Sequence, residues 1–228
     1  MSYTHLLFDL DGTLFDFDAG EKYAFNKVCD FLQLTFTSEL LSLYKKINLS
    51  YWQAYERGEI TTQALAIARF SDFLSCVDKT SFDPAFLAKL YQSALGEDCT
   101  PIADSLSVCR HFFDNGYHLS IITNGRSQTQ HSRLSKSELF QFFSCLFISE
   151  EIGFQKPSAD FFNYVLNSLD VQPSKALIIG DSLTSDITGG ISYGIDTCWF
   201  NPRHKTNTLL PNKPTYEIQS LTELIKLV

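Results

Sequence analysis

The stretch His5-Leu6-Leu7-Phe8-Asp9-Leu10-Asp11-Gly12-Thr13 decides the fold. Its apolar run reads as a strand buried on both faces, and it stops abruptly in two carboxylates and a glycine, as a strand does when it opens into a loop. Such a strand belongs in a parallel sheet covered by helices. Asp9 and Asp11 are two positions apart, so in an extended chain they point to the same side while Leu10 points to the other. Two ionised carboxylates facing one small volume repel each other unless a cation is present.

Downstream of this strand, helical spacing takes over. Ala24, Val28, Phe31 and Leu32 mark one helix, and Leu40, Tyr44, Ile47, Tyr51 and Tyr55 a second. A third follows Thr61. The fourth has Asp83 as N-cap, Pro84 at its first position and Gly96 past its end. After Pro101 the pattern becomes helices alternating with strand candidates at 117–123, 145–149, 176–180 and 196–200, which implies an α/β fold with a doubly wound parallel sheet. The expected organisation is an α/β core from residues 1–15 and 97–228, with an all-helical domain inserted at 16–96. Residues 201–214, with three prolines, read as a loop before a last short helix.

Composition agrees with one domain carrying an insertion, since 228 residues exceed the ~150 of a typical domain. Hydrophobic residues at 44% and charged residues at 19% exclude general disorder. Acidic residues outnumber basic ones 26 to 18, for a net charge of −8, and no Lys/Arg run offers a track for a nucleic-acid polymer. A small anionic ligand is still admissible. No apolar stretch is long enough for a membrane span, and the N-terminus lacks a basic start and a cleavage site, so the expectation is a cytoplasmic protein without membrane contact. Cys29, Cys76, Cys99, Cys109, Cys145 and Cys198 contain no CxxC spacing and read as reduced thiols.

In open α/β sheets ligands bind at the carboxyl ends of the strands. There the sequence places Asp9 and Asp11 after the first strand, Thr123-Asn124-Gly125 after the second, Lys156-Pro157 near the third, and Gly180-Asp181 with Asp186 after the fourth. An all-oxygen cluster suits Mg²⁺, Lys156 offers a point charge for a phosphoryl group, and Thr123 and loop amides offer donors. The set fits phosphoryl transfer through an aspartyl-phosphate.

These residues resemble the motifs of the haloacid dehalogenase-like hydrolase superfamily: Asp9-Leu10-Asp11-Gly12-Thr13-Leu14, Ile121-Ile122-Thr123-Asn124-Gly125, Lys156-Pro157, and Gly180-Asp181 through Asp186, all in order. The helical insertion after the first motif resembles the cap domain of its phosphatase branch. The resemblance implies that Asp9 attacks phosphorus, and that Asp11 protonates the leaving oxygen and then activates water. Asp9, Asp181 and the Asp11 backbone carbonyl would hold Mg²⁺, with Asp186 orienting a water on it. Thr123, Asn124, Gly125 and Lys156 would bind the phosphoryl group. Retention of Asp11 separates the chain from the dehalogenases, which lack that carboxylate.

Longer strings, Phe15-Asp16-Phe17-Asp18, residues 47–61, Ile148-Ser149-Glu150-Glu151-Ile152-Gly153 and Cys198-Trp199-Phe200-Asn201, look like those of bacterial pyrimidine 5′-nucleotidases. That implies a Mg²⁺-dependent phosphomonoesterase acting on a nucleoside monophosphate, as a monomer or homodimer. A nucleobase pocket wants flat apolar faces and a few edge-recognising groups, and the insertion is rich in aromatics. Phe15, Phe17, Asn48 and Trp52 are the candidates for substrate contact. The alternatives are a sugar-phosphate or phosphoglycolate phosphatase, a phosphomutase of the same mechanism, and a non-catalytic protein that kept the fold.

Overall fold

The computed structural model describes residues 3–209 and 212–228. Six parallel strands form one sheet in the order β3-β2-β1-β4-β5-β6. They are β1 (His5–Phe8), β2 (His118–Thr123), β3 (Phe143–Ile148), β4 (Ala176–Gly180), β5 (Asp196–Phe200) and β6 (Tyr216–Ile218). The chain leaves β1, its central strand, for the helical insertion α1 (Phe17–Leu32), α2 (Ser38–Glu56), α3 (Thr62–Cys76) and α4 (Pro84–Leu95). It then continues through α5 (Ser105–Asp114), α6 (Ser127–Ser135), α7 (Ser149–Ile152), α8 (Ala159–Leu169), α9 (Thr188–Tyr193) and α10 (Leu224–Leu227).

The period-two alternation of the strands sorts side chains onto two faces. Leu6, Phe8, Ile121, Leu177 and Ile179 pack on one side with Val108 and Phe112 of α5 and Leu224 of α10. Leu7, Ile122, Ala176 and Ile178 pack on the other with Phe161, Phe162 and Val165 of α8. Both faces are apolar because both are covered. Removal of each such side chain from water contributes about 1.5–3 kcal/mol, which fixes the register and hence the level at which each strand ends.

The chain divides into two compact units, one of residues 1–17, 99–127 and 134–228 and one of residues 18–98 and 128–133. In the helical unit, Thr37, Thr61 and Asp83 cap α2, α3 and α4 through bonds to the backbone N–H of Leu40, Ala64 and Ala85. Its interior is a ring cluster in which Tyr44 stacks on Phe25 at 4.6 Å and on Phe70 at 5.4 Å. Phe31, expected on the buried face of α1, is 44% exposed and meets the rings of Phe82 and Phe86 instead. Residues 128–133 of α6 join this unit because Thr129 Oγ1 donates to Gln92 Oε1 (2.7 Å), Ser132 Oγ to Gly96 O (2.9 Å) and Arg133 Nε to Asp98 O (2.8 Å).

The loop expected at 201–214, of which residues 210 and 211 lie outside the described residues, is followed by a strand the periodicity does not reveal. β6 pairs with β5 over three residues, too few for an alternation to register. No disulfide links the cysteines, and no helix among the described residues is long and apolar enough to cross a membrane.

Candidate active site

The side chains of the expected core motifs gather beyond the ends of β1, β2 and β4. Asp9 directly follows β1, and its N–H donates to Ile179 O of β4 at 2.8 Å, so the carboxylate leaves the sheet at a fixed point. Thr13 Oγ1 donates to Asp9 Oδ2 at 3.3 Å, within a turn closed by bonds from Leu14 N and Phe15 N to Leu10 O.

Two glycines make room for the other carboxylates. Gly12 has φ +90°, and a Cβ there would lie 2.9 Å from Asp181 Cγ. A Cβ on Gly180 would lie 2.3 Å from Asp186 Oδ2. Only hydrogen fits at either position. Asp181 is also anchored through its carbonyl, which accepts from Trp199 Nε1 at 3.0 Å, and Asp186 sits in a π-helical turn, where its Oδ2 accepts from Ser182 N at 3.2 Å.

Lys156 is 1% exposed, and its ammonium donates to Asp9 Oδ1 at 2.8 Å, Asp186 Oδ1 at 2.7 Å and Ile122 O at 2.9 Å. Each ammonium hydrogen therefore has an acceptor: one from the residue after β1, one from β2 and one from the π-helical turn that follows β4. The lysine is placed by Asn124: Asn124 Nδ2 donates to Lys156 O at 2.8 Å, and Lys156 N donates to Asn124 Oδ1 at 2.9 Å. Thr123 is buried, and its hydroxyl accepts from Gly125 N at 3.0 Å, which shapes the turn after β2.

Burial dominates the electrostatics. It pushes Asp9 well above the ordinary carboxylate range; the Lys156 ammonium opposes this, and the Asp186 and Asp181 charges reinforce it. Asp181 is pushed up to about 7, first by burial and then by Asp186, against Lys205 and Lys156. For Lys156, burial works downward, but Asp186 and Asp9 outweigh it and hold the ammonium charged. Asp9, Asp181 and Asp186 bring ligand oxygens within 4.8 Å of one another. One buried ammonium opposes these three carboxylates, and all the donors are hard oxygens; that balance fits a divalent cation such as Mg²⁺. Asp11, half-buried, lies outside this trio but close enough for its charge to act on Asp181.

Two of the residues expected to contact substrate are buried. Phe15 is fully buried among Leu10, Leu14 and the rest of the core beneath α5, so its ring belongs to the core and offers no face to a ligand. Asn48 is 4% exposed inside the helical unit, where its Nδ2 donates to Glu21 Oε1 (2.9 Å) and its Oδ1 accepts from Arg69 Nη1 (2.8 Å). That carboxamide joins Glu21 and Arg69 in a buried network. Phe17, at the start of α1, and Trp52, on α2, are half-buried. Thr13, Ser182 and Trp199 are site-building residues the sequence reading assigned no role. Thr13 lies in the opening motif and Ser182 in the fourth, four residues before the Asp186 it bonds, so both were legible there, whereas Trp199 reaches the site only through tertiary contact.

The chain matches the haloacid dehalogenase-like hydrolases over residues 6–200. It is 40% identical over 224 residues to the HAD-hydrolase YfnB of Bacillus subtilis, covering 97% of this chain and 94% of that protein. A crystal structure of YfnB bound to magnesium superposes with a TM-score of 0.92 at 39% identity, covering 100% of this chain and 99% of that one. The pyrimidine 5′-nucleotidase PynA of Streptococcus pneumoniae is 36% identical, covering 99% of this chain and 94% of that protein. The pyrimidine 5′-nucleotidase YjjG of Escherichia coli is 35% identical, covering 100% and 99%. Sheet order, strand-end carboxylates, buried lysine and sequence likeness all converge on one conclusion: this chain belongs to the haloacid dehalogenase-like hydrolase family.

Proposed function

We propose that the protein is a Mg²⁺-dependent phosphomonoesterase acting on nucleoside 5′-monophosphates, with preference for pyrimidines. The observation that carries the reading is the setting of Asp9: a buried carboxylate, one oxygen bonded to Lys156 and the other to Thr13, beside Asp181 and Asp186. The pyrimidine preference draws support from the likeness to PynA and YjjG over nearly the whole chain.

Asp9, Asp181 and the Asp11 backbone carbonyl would hold the magnesium ion. When bound, the ion supplies positive charge that lets a phosphate dianion approach the carboxylates. Lys156 and Thr13 hold the Asp9 carboxylate in one orientation, so its attacking oxygen does not have to be ordered during the reaction. Attack on phosphorus forms the aspartyl-phosphate as the ester P–O bond breaks, and Asp11 gives its proton to the leaving alkoxide. Asp11, now ionised, takes a proton from water, which attacks phosphorus, releases phosphate and restores Asp9. Thr123 and the amides of the turn after β2 would donate to the transferred group's oxygens.

The test is hydrolysis of UMP, dUMP, dTMP, AMP, GMP, phosphoglycolate and hexose phosphates with Mg²⁺, for wild type and Asp9→Asn. The expected pattern is preference for the pyrimidine nucleotides and loss of all turnover in the variant. Activity above about a tenth of wild type in Asp9→Asn would remove the nucleophile assignment. Preference for sugar phosphates would move the substrate class and leave the mechanism standing.

A further inference from the structure

Asn124 is not alone in clasping a lysine. Asn201, which directly follows β5 and is 2% exposed, repeats the arrangement: its Oδ1 accepts from Lys205 N at 2.8 Å, and its Nδ2 donates to Lys205 O at 3.0 Å. The same Nδ2 donates to Glu217 Oε1 of β6 at 2.7 Å. Asn201 N donates to Ile218 O at 2.7 Å, and Asn201 O accepts from His204 N at 3.2 Å, with His204 in the left-handed region at φ 51°. A buried carboxamide and a strained corner thus fix the peptide of one lysine against the edge of the sheet. Such a device is costly for a surface loop unless the side chain it aims has work to do.

The Lys205 side chain is 54% exposed, and its ammonium lies 3.9 Å from Asp181 Oδ2. The two clasped lysines divide by depth. Lys156 is buried with every hydrogen engaged by acceptors of the protein, whereas Lys205 stands at the mouth of the same cluster on a flexible stem. Beyond the charge a bound Mg²⁺ would supply inside, a cation at the rim adds attraction for a phosphate dianion approaching the three carboxylates.

We propose that Lys205 is a substrate-capturing residue, an outer cation that binds the phosphate of the incoming monoester before it reaches Lys156. The proposal rests on the phosphomonoesterase reading above and does not depend on which alcohol the phosphate carries.

The test uses wild type, Lys205→Gln, Lys205→Arg and Lys205→Glu, with a pyrimidine nucleotide and with p-nitrophenyl phosphate, across a range of ionic strength. Lys205→Gln is expected to lower kcat/KM about fivefold, mainly through KM, and to flatten its salt dependence. Arginine should restore most of the loss, and glutamate should deepen it. Calorimetric titration of the Mg²⁺-loaded protein with inorganic phosphate should show weaker binding in Lys205→Gln by the same factor. Unchanged KM and phosphate affinity would overturn the proposal. So would tighter Mg²⁺ binding with unaltered phosphate binding, since Lys205 would then only balance Asp181. A wild type that cleaves p-nitrophenyl phosphate but no nucleotide would overturn the nucleotide assignment and leave the Lys205 comparison intact. A wild type that cleaves neither would overturn the phosphomonoesterase reading, and the phosphate titration would still decide the Lys205 role.

Discussion

Asn124 grips the peptide of Lys156 at both ends, with its carboxamide nitrogen 2.8 Å from the carbonyl and its carboxamide oxygen 2.9 Å from the N–H. The ammonium at the far end of that lysine meets the carboxylates of Asp9 and Asp186. The asparagine is therefore a positioning residue that acts through the lysine. Asn124→Ala should lower kcat by about ten- to a hundredfold with a smaller change in KM, because a misplaced ammonium harms orientation more than encounter. Steady-state kinetics alongside thermal melting check this. Equal losses in kcat and in the folded fraction would reduce Asn124 to a merely structural part.

Gly180→Ala should be inactivating out of proportion to its size. The new methyl would overlap Asp186 Oδ2, whose displacement disturbs the acceptor that holds Lys156. The expected result is a fall in kcat/KM of at least about tenfold and a lower melting temperature, because overpacking at a tight site typically costs about 1–3 kcal/mol. An alanine variant with wild-type kinetics would show that Asp186 has room the structure does not display.

Magnesium should stabilise the fold. A cation that binds only the native state raises the melting temperature with the logarithm of its concentration, and EDTA should reverse both the shift and the activity. Asp181→Asn removes one of the three clustered carboxylates and should abolish most of the shift. A shift of the same size in that variant would place the ion elsewhere.

The helical unit carries its own pH dependence. Glu21 is buried, and this raises its pKa more than Lys45, Asn48 and Arg69 lower it. With a folded value above the ordinary 4.5, the folded state holds the proton more tightly than the unfolded chain. The stability contributed by the protonated acid is fully present below about pH 4.5 and is lost as the pH rises through the folded value. Urea unfolding of the whole chain at a series of pH values should show that decline, and Glu21→Gln should flatten it. An identical slope in the variant would assign the dependence to other groups.

How much of this was legible beforehand varies with the range of the interaction. The strand at residues 5–8, its carboxylates and the order of the four motifs could be read from local pattern, because alternation, glycine and acidic pairs are properties of neighbours. Asn124 was visible as part of a turn, but the peptide it clasps lies 32 positions away, and the clasp of Lys205 by Asn201 depends on the short strand β6. The burial of Phe15 and Asn48 escapes the sequence for a related reason. Aromatic and amide side chains serve a ligand pocket and an interior equally well, and only burial tells the two apart.

The three-acceptor setting of Lys156 has one more consequence. On the proposed mechanism Asp9 would give up its negative charge on becoming an acyl phosphate, and its hold on the ammonium would weaken as phosphoryl oxygens arrive nearby. One hydrogen of Lys156 can then pass from carboxylate to phosphoryl oxygen while Ile122 O and Asp186 keep the other two. The ammonium would then keep three acceptors through the exchange. In that reaction the fold would supply a relay with fixed valence, in which the incoming group takes the place the nucleophile vacates.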